Sequence, residues 1–65
     1  MNKLEAVKYA IRILVREAEH FRCLGYDNEA AKDVFDECAS YDEQAIEELK
    51  KIAKEIIKND RTGSN

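Results

Sequence analysis

Leu4, Val7, Ile11, Leu14, Ala18 and Phe21 recur at alternating spacings of three and four residues, which places them on one face of an α-helix. At 100° per residue the apolar arc does not stop at that stripe. Ala6, Ala10, Ile13 and Leu24 widen one flank and Val15 the other. The arc then covers about 200°, where a helix facing a single neighbour needs about 100°. This first helix, over residues 3–24, must therefore touch at least two neighbours. Gly25 follows it, where a left-handed cap is expected to end the helix.

The rest of the chain reads as helix too. It has no proline and only two glycines, and is rich in Ala, Glu, Lys, Leu and Ile, which favour helix. Asp27 or Asn28 can cap a second helix over 28–39, with Ala30, Ala31, Val34, Phe35 and Cys38 as its apolar stripe. Ser40 followed by Glu43 has the spacing of a capping box, in which the two side chains satisfy free backbone N–H groups reciprocally. It predicts a third helix over 41–58, with Ala45, Ile46, Leu49, Ile52, Ala53, Ile56 and Ile57 on one face. The expected fold is an all-α, long-short-long three-helix bundle forming one domain over residues 1–58. The tail over 59–65 carries no apolar residue and is expected to be flexible.

These lengths generate an expectation about assembly. At 1.5 Å per residue the three helices would measure about 30, 18 and 27 Å, so the short middle helix could not cover the other two. A groove between the first and third would stay open, lined by residues drawn from Leu4, Val7, Ile11, Ile52, Ile56 and Ile57. A chain of 65 residues buries only about 60% of the surface its unfolded form exposes. A second copy of the chain, giving a homodimer, or another protein is expected to fill that groove.

Charge is laid out in three blocks, basic, acidic and basic. Residues 1–24 hold five cations and three carboxylates, residues 27–48 one cation and nine carboxylates, and residues 49–65 five cations and two carboxylates. Asp27, Glu29, Asp42 and Glu43 sit near predicted helix starts, where negative charge complements the helix dipole. Glu47 can pair with Lys51. Glu29, Asp33, Asp36 and Glu37 share the outer face of the second helix, with like charges four residues apart that repel. This acidic face either meets the basic surface of another protein or is an ordinary solvated face. On the first helix, Lys8, Arg12 and Arg16 stand at four-residue steps with Tyr9 alongside, and arginine and tyrosine are prominent at binding interfaces. Those cations could instead pair with Glu5 and Glu19.

Chemistry is harder to find. His20 and Cys23 are neighbours on a helix surface, a spacing that could offer two metal ligands or a thiol beside a base. No third or fourth ligand is apparent, so no metal, cofactor or catalytic group is assigned. Cys38 reads as a small core residue, and a Cys23–Cys38 disulfide is geometrically conceivable across the first turn. A helix-turn-helix reading would bring Asp42, Glu43, Glu47 and Glu48 against phosphates that repel them, so direct DNA binding there is disfavoured.

No stretch approaches the roughly 18 apolar residues of a membrane span, and charged residues interrupt any signal-peptide core. The expected function is therefore that of a cytoplasmic, non-enzymatic regulator or inhibitor that docks on another protein. The alternative is a nucleic-acid-associated regulator using the basic face of the first helix.

Overall fold

Between Asn28 and Gly63 the sequence contains no glycine or proline, so nothing in the backbone chemistry forces a helix to stop. The computed structural model describes the backbone of residues 1–63 and the side chains of residues 1–60. Among the described residues there are two α-helices, α1 (Lys3–Asp27) and α2 (Lys32–Gly63), joined by one 3-10 turn at Glu29–Ala31, and no strand. The fold is all-α but is a helical hairpin rather than a three-helix bundle. The second and third helices of the sequence reading are one continuous helix.

The reason lies in the phase of the apolar stripe. Phe35, Ala39, Ile46, Leu49, Ala53 and Ile56 follow one three-and-four ladder, with Asp42 occupying the missing step. A break at Ser40 would not bring any residue into better register, and it would expose backbone N–H groups that the continuous helix satisfies. Ser40 acts as a mid-helix acceptor instead, its hydroxyl receiving a 3.3 Å hydrogen bond from the Gln44 amide. The capping box is absent. A true cap stands at the other end of the chain, where the Asn2 side chain accepts from the Glu5 N–H at 2.8 Å and starts α1.

Chain reversal falls on Asn28, not on Gly25. Asn28 leaves the helical region at φ −130°, ψ 87°, and its N–H closes α1 by donating to the Leu24 carbonyl at 3.0 Å. Its carbonyl accepts from the Ala31 N–H at 3.1 Å, while its side chain forms no cap hydrogen bond to the 3-10 turn. Gly25 lies inside α1, buried, and no described glycine has a positive φ. Its role is close approach: a Cβ there would stand 3.3 Å from the Phe35 Cβ and 3.5 Å from the Lys32 carbonyl oxygen.

From that contact the two helices run antiparallel, reaching Leu4 beside Ile56 at the open end. Phe21 and Phe35 stack near the turn with ring centroids 6.3 Å apart. The seam is thin. Ala18, Ala39 and Ile46 are the buried apolar side chains among the described residues, and Leu4, Val7, Ile11, Leu14, Phe21, Phe35, Leu49 and Ile56 are half-buried. The shape is a rod of 56 × 18 × 10 Å with a radius of gyration of 15.5 Å, against about 11 Å for a compact chain of this length.

Because α2 packs along α1, most of the residues expected to line a groove between a first and a third helix lie in the helix-helix seam instead. Of the six residues assigned to a dimer interface, Leu4, Val7, Ile11 and Ile56 belong to the seam and are half-covered by their own chain. Ile52 and Ile57 are exposed but lie about 140° apart around the helix, on opposite flanks. Backbone helix continues through Gly63, past Lys58 where the sequence reading ends it. The remainder of the expected flexible tail, Ser64 and Asn65, lies outside the described residues.

A side chain at position 25 should force the helices apart. Gly25→Leu is expected to lower stability by about 1–3 kcal/mol through overpacking, read as a lower urea midpoint at fixed chain concentration. Gly25→Ala should sit closer to neutral, because a helix-propensity gain of about 1 kcal/mol opposes the tight contact with Phe35.

Candidate functional site

The acidic residues lie around the turn and along the outer side of α2, but they are not equivalent. Asp36 is half-buried and held by its own chain: the Lys32 ammonium donates to it at 2.6 Å and Arg22 reaches it from α1 at 3.3 Å. Arg22 also donates to Glu43 at 2.7 Å, so one guanidinium ties α1 to two carboxylates on α2. The phenol of Tyr41 donates to Glu37 at 3.1 Å. Glu29 and Asp33 are exposed, with no ion-pair partner among the described residues.

These contacts shift protonation at three groups. The Asp36 carboxyl titrates below the ordinary range, chiefly through the hydrogen bond from Lys32, with Arg22 adding to it. The Arg22 guanidinium is raised, first by its bond to Glu43 and then by Asp36. Tyr41 is raised because its phenolate would face the carboxylate of Glu37.

Lys8, Tyr9, Arg12 and Arg16 sit together on the outer face of α1, all exposed. Pairing with Glu5 or Glu19 does not occur: among the described residues no carboxylate lies within ion-pair distance of Lys8, Arg12 or Arg16. Pairing of Glu47 with Lys51 does not occur either, since Glu47 meets Lys50 at 3.6 Å and Lys51 meets Glu48 at 3.0 Å.

Sequence reasoning missed Arg22, which had been counted only among the cations of the first segment. Its signal is positional, because it lies one step from the seam residue Phe21 and so at the edge of the helix-helix contact. Asp42 was missed as well. It was read as a helix-start acid, yet it occupies a seam position where its Oδ2 is buried without a hydrogen-bond partner, a costly state for a carboxylate.

On the Arg22 side, Val15, Ala18, Arg22, Glu43, Ile46 and Lys50 are among the residues lining an open groove of about 640 Å³. Cys23 borders it, exposed, whereas Cys38 is half-buried, and both are free thiols. The conceivable disulfide is therefore not formed. The ring of His20 turns toward Phe21, with centroids 6.5 Å apart. Among the described residues no group of three or more His, Cys, Asp or Glu side chains converges on a metal position. No helix among them is long and apolar enough to cross a membrane. The segment considered for a helix-turn-helix start, Ser40 to Glu48, lies within α2 and not at a helix end.

Comparison with protein-family models, curated proteins and solved structures gives no match.

The Asp36 interaction has a defined pH signature. Because the folded-state carboxyl titrates low, its stabilising contribution is fully present above the ordinary aspartate value of about 3.9. It is lost as acid carries the pH down through the lower folded-state value. A carbon-detected NMR titration should place the Asp36 midpoint below the ordinary aspartate value of about 3.9. Lys32→Met should move the Asp36 midpoint upward by more than Arg22→Met does.

Proposed function

We propose that this chain is a non-enzymatic interaction protein that regulates or inhibits another protein by contact, presenting an acidic edge to a basic surface. The observation that supports this reading is the distribution of counter-charge around the turn. Lys32 and Arg22, the cations nearest the cluster, are engaged by Asp36 and Glu43. Among the described residues Glu29 and Asp33 have no ion-pair partner. Asp36, first grouped with them, is better assigned to holding the hairpin together than to partner capture.

An acidic edge on a stiff frame acts through charge placement, which governs association rate and partner choice more than total affinity. It requires no reactive group and no enclosed pocket. A reducing compartment suits the two free thiols, and the cytoplasm is part of the same proposal.

A second reading has its own support. Lys8, Arg12 and Arg16 are exposed cations without ion-pair partners among the described residues, spaced along one face with Tyr9, and phosphate neutralisation by such residues is the main source of nucleic-acid affinity. In this reading the chain is a nucleic-acid-associated regulator acting through α1.

Two experiments separate the readings. Affinity capture from the native cell should retain a partner at low salt with the unaltered chain. It should lose that partner at least tenfold with Glu29→Gln, Asp33→Asn and Glu37→Gln combined, while helicity by circular dichroism stays unchanged; undiminished capture rejects the acidic edge. Gel retardation with RNA or DNA should show binding that falls steeply with salt and disappears on Lys8→Gln, Arg12→Gln and Arg16→Gln if the second reading holds. Absence of retardation at low salt rejects it.

A further inference from the structure

Each helix carries a second apolar ladder beside the one used in the seam. On α1 it runs through Ala6, Ala10, Ile13 and Leu24, with Glu17 and His20 at the intervening steps. On α2 it runs through Val34, Cys38, Tyr41, Ala45 and Ile52, with Glu48 between. The spacing alternates between four and three throughout, the repeat that keeps one helix against another along a left-handed supercoil. Both ladders fall on one flank of the hairpin. The Arg22–Glu43 groove marks the other flank, and turning away from it around either helix, at 100° per residue, leads past the seam to the second ladder. The strip these ladders form is left open: Ile13 is 40% exposed, Ile52 47%, Val34 62% and Tyr41 62%.

We infer that a second copy of this chain covers the strip, so that two hairpins stack antiparallel into a four-helix bundle. Size supports that occupant. The strip extends about 28 Å from Ala6 to Leu24 and the rod is 18 Å wide. Mutual coverage therefore hides on the order of 1,000 Å² over two copies, the lower bound for a specific interface. The chain exposes 5287 Å², whereas a compact monomer of its 7.5 kDa mass exposes about 4,200 Å². Stacking removes about 500 Å² per chain, roughly half of that surplus.

Charge selects the antiparallel orientation. A two-fold axis across the middle of the strip sets Ala6 against Leu24 of the second copy and Tyr41 against its Ala45, and also Ile13 against its Glu17 and Cys38 against its Glu48, so shape alone does not choose it. The ends of the rod are oppositely charged. Around the turn, residues 27–37 carry five carboxylates and one cation. At the open end, residues 1–8 and 50–58 together carry six cations and two carboxylates. Antiparallel stacking puts each acidic end beside a basic one, while parallel stacking sets like charges together.

Sedimentation equilibrium of the intact chain at micromolar concentration tests this. The expected species is twice the 7.5 kDa chain mass, with a melting temperature that rises with chain concentration. Ile13→Glu and Ile52→Glu together should weaken association at least 100-fold, while Val15→Glu on the opposite flank should leave it within threefold. Should the double variant lose its fold, Val34→Glu alone, at a strip position 62% exposed, should still weaken association at least tenfold. A monomer at all concentrations overturns the proposal, as does a dimer that Ile13→Glu and Ile52→Glu do not disturb. So does a monomer whose strip is covered only by a different protein; that outcome leaves the acidic-edge reading to its own test, since Glu29 and Asp33 lie outside the strip. Spin labels at Tyr26→Cys, in a chain carrying Cys23→Ser and Cys38→Ala, should report the two turns at opposite ends of the assembly. A short distance between them overturns the antiparallel arrangement.

Discussion

Everything in this hairpin depends on how closely two helices approach near the turn. Gly25 against Phe35 sets the distance, and Ala18 and Ala39 keep it small farther along the seam. Small residues at these points bring the backbones together but bury little apolar area, which is the main driving force for folding. The result is a well-registered contact with a thin core. Hence the large side chains of α1 and α2 remain half-covered at the seam, and those beside it remain exposed.

Charge then fixes what packing leaves loose. A heptad seam alone tolerates a slip of one repeat, but Arg22 must meet both Asp36 and Glu43, which lie seven residues apart on α2. A shifted register would part it from at least one of them. Exposed ion pairs contribute little net stability, so their role here is one of alignment. Asp42 acts in the same sense from inside the seam, since a buried carboxylate oxygen without a partner penalises tight burial. Polar groups at seam positions trade stability for a defined pairing.

Much of this was legible in the sequence. The ladder from Leu4 to Phe21 gives α1 and its inward face, while the extra width of its apolar arc, at Ala6, Ile13 and Val15, stays exposed in the hairpin. The break at Ser40 was misread because Ser40, Asp42 and Glu43 carry local cap chemistry, and local chemistry cannot weigh a stripe that continues in phase from Phe35 to Ile56. Gly25 was misread for a related reason. Glycine serves both for left-handed turns and for close helix contacts, and only the position of Phe35 tells which applies. The outer charged faces were readable as faces. Asp36 is tied down chiefly by Lys32 four residues before it, a local pair, and only the added reach of Arg22 from the other helix is a long-range fact.

The single reversal at Asn28 has a kinetic corollary. Contacts next to it, Gly25 with Phe35, close a loop of ten residues, whereas Leu4 and Ile56 close one of 52. The loop-entropy difference is about 1.5 kcal/mol if each forms independently. Folding that begins beside the reversal and proceeds outward avoids that difference, since each seam step shortens the loop left for the next. Substitutions near the reversal then act mainly on the rate of folding, and those at the open end mainly on the rate of unfolding.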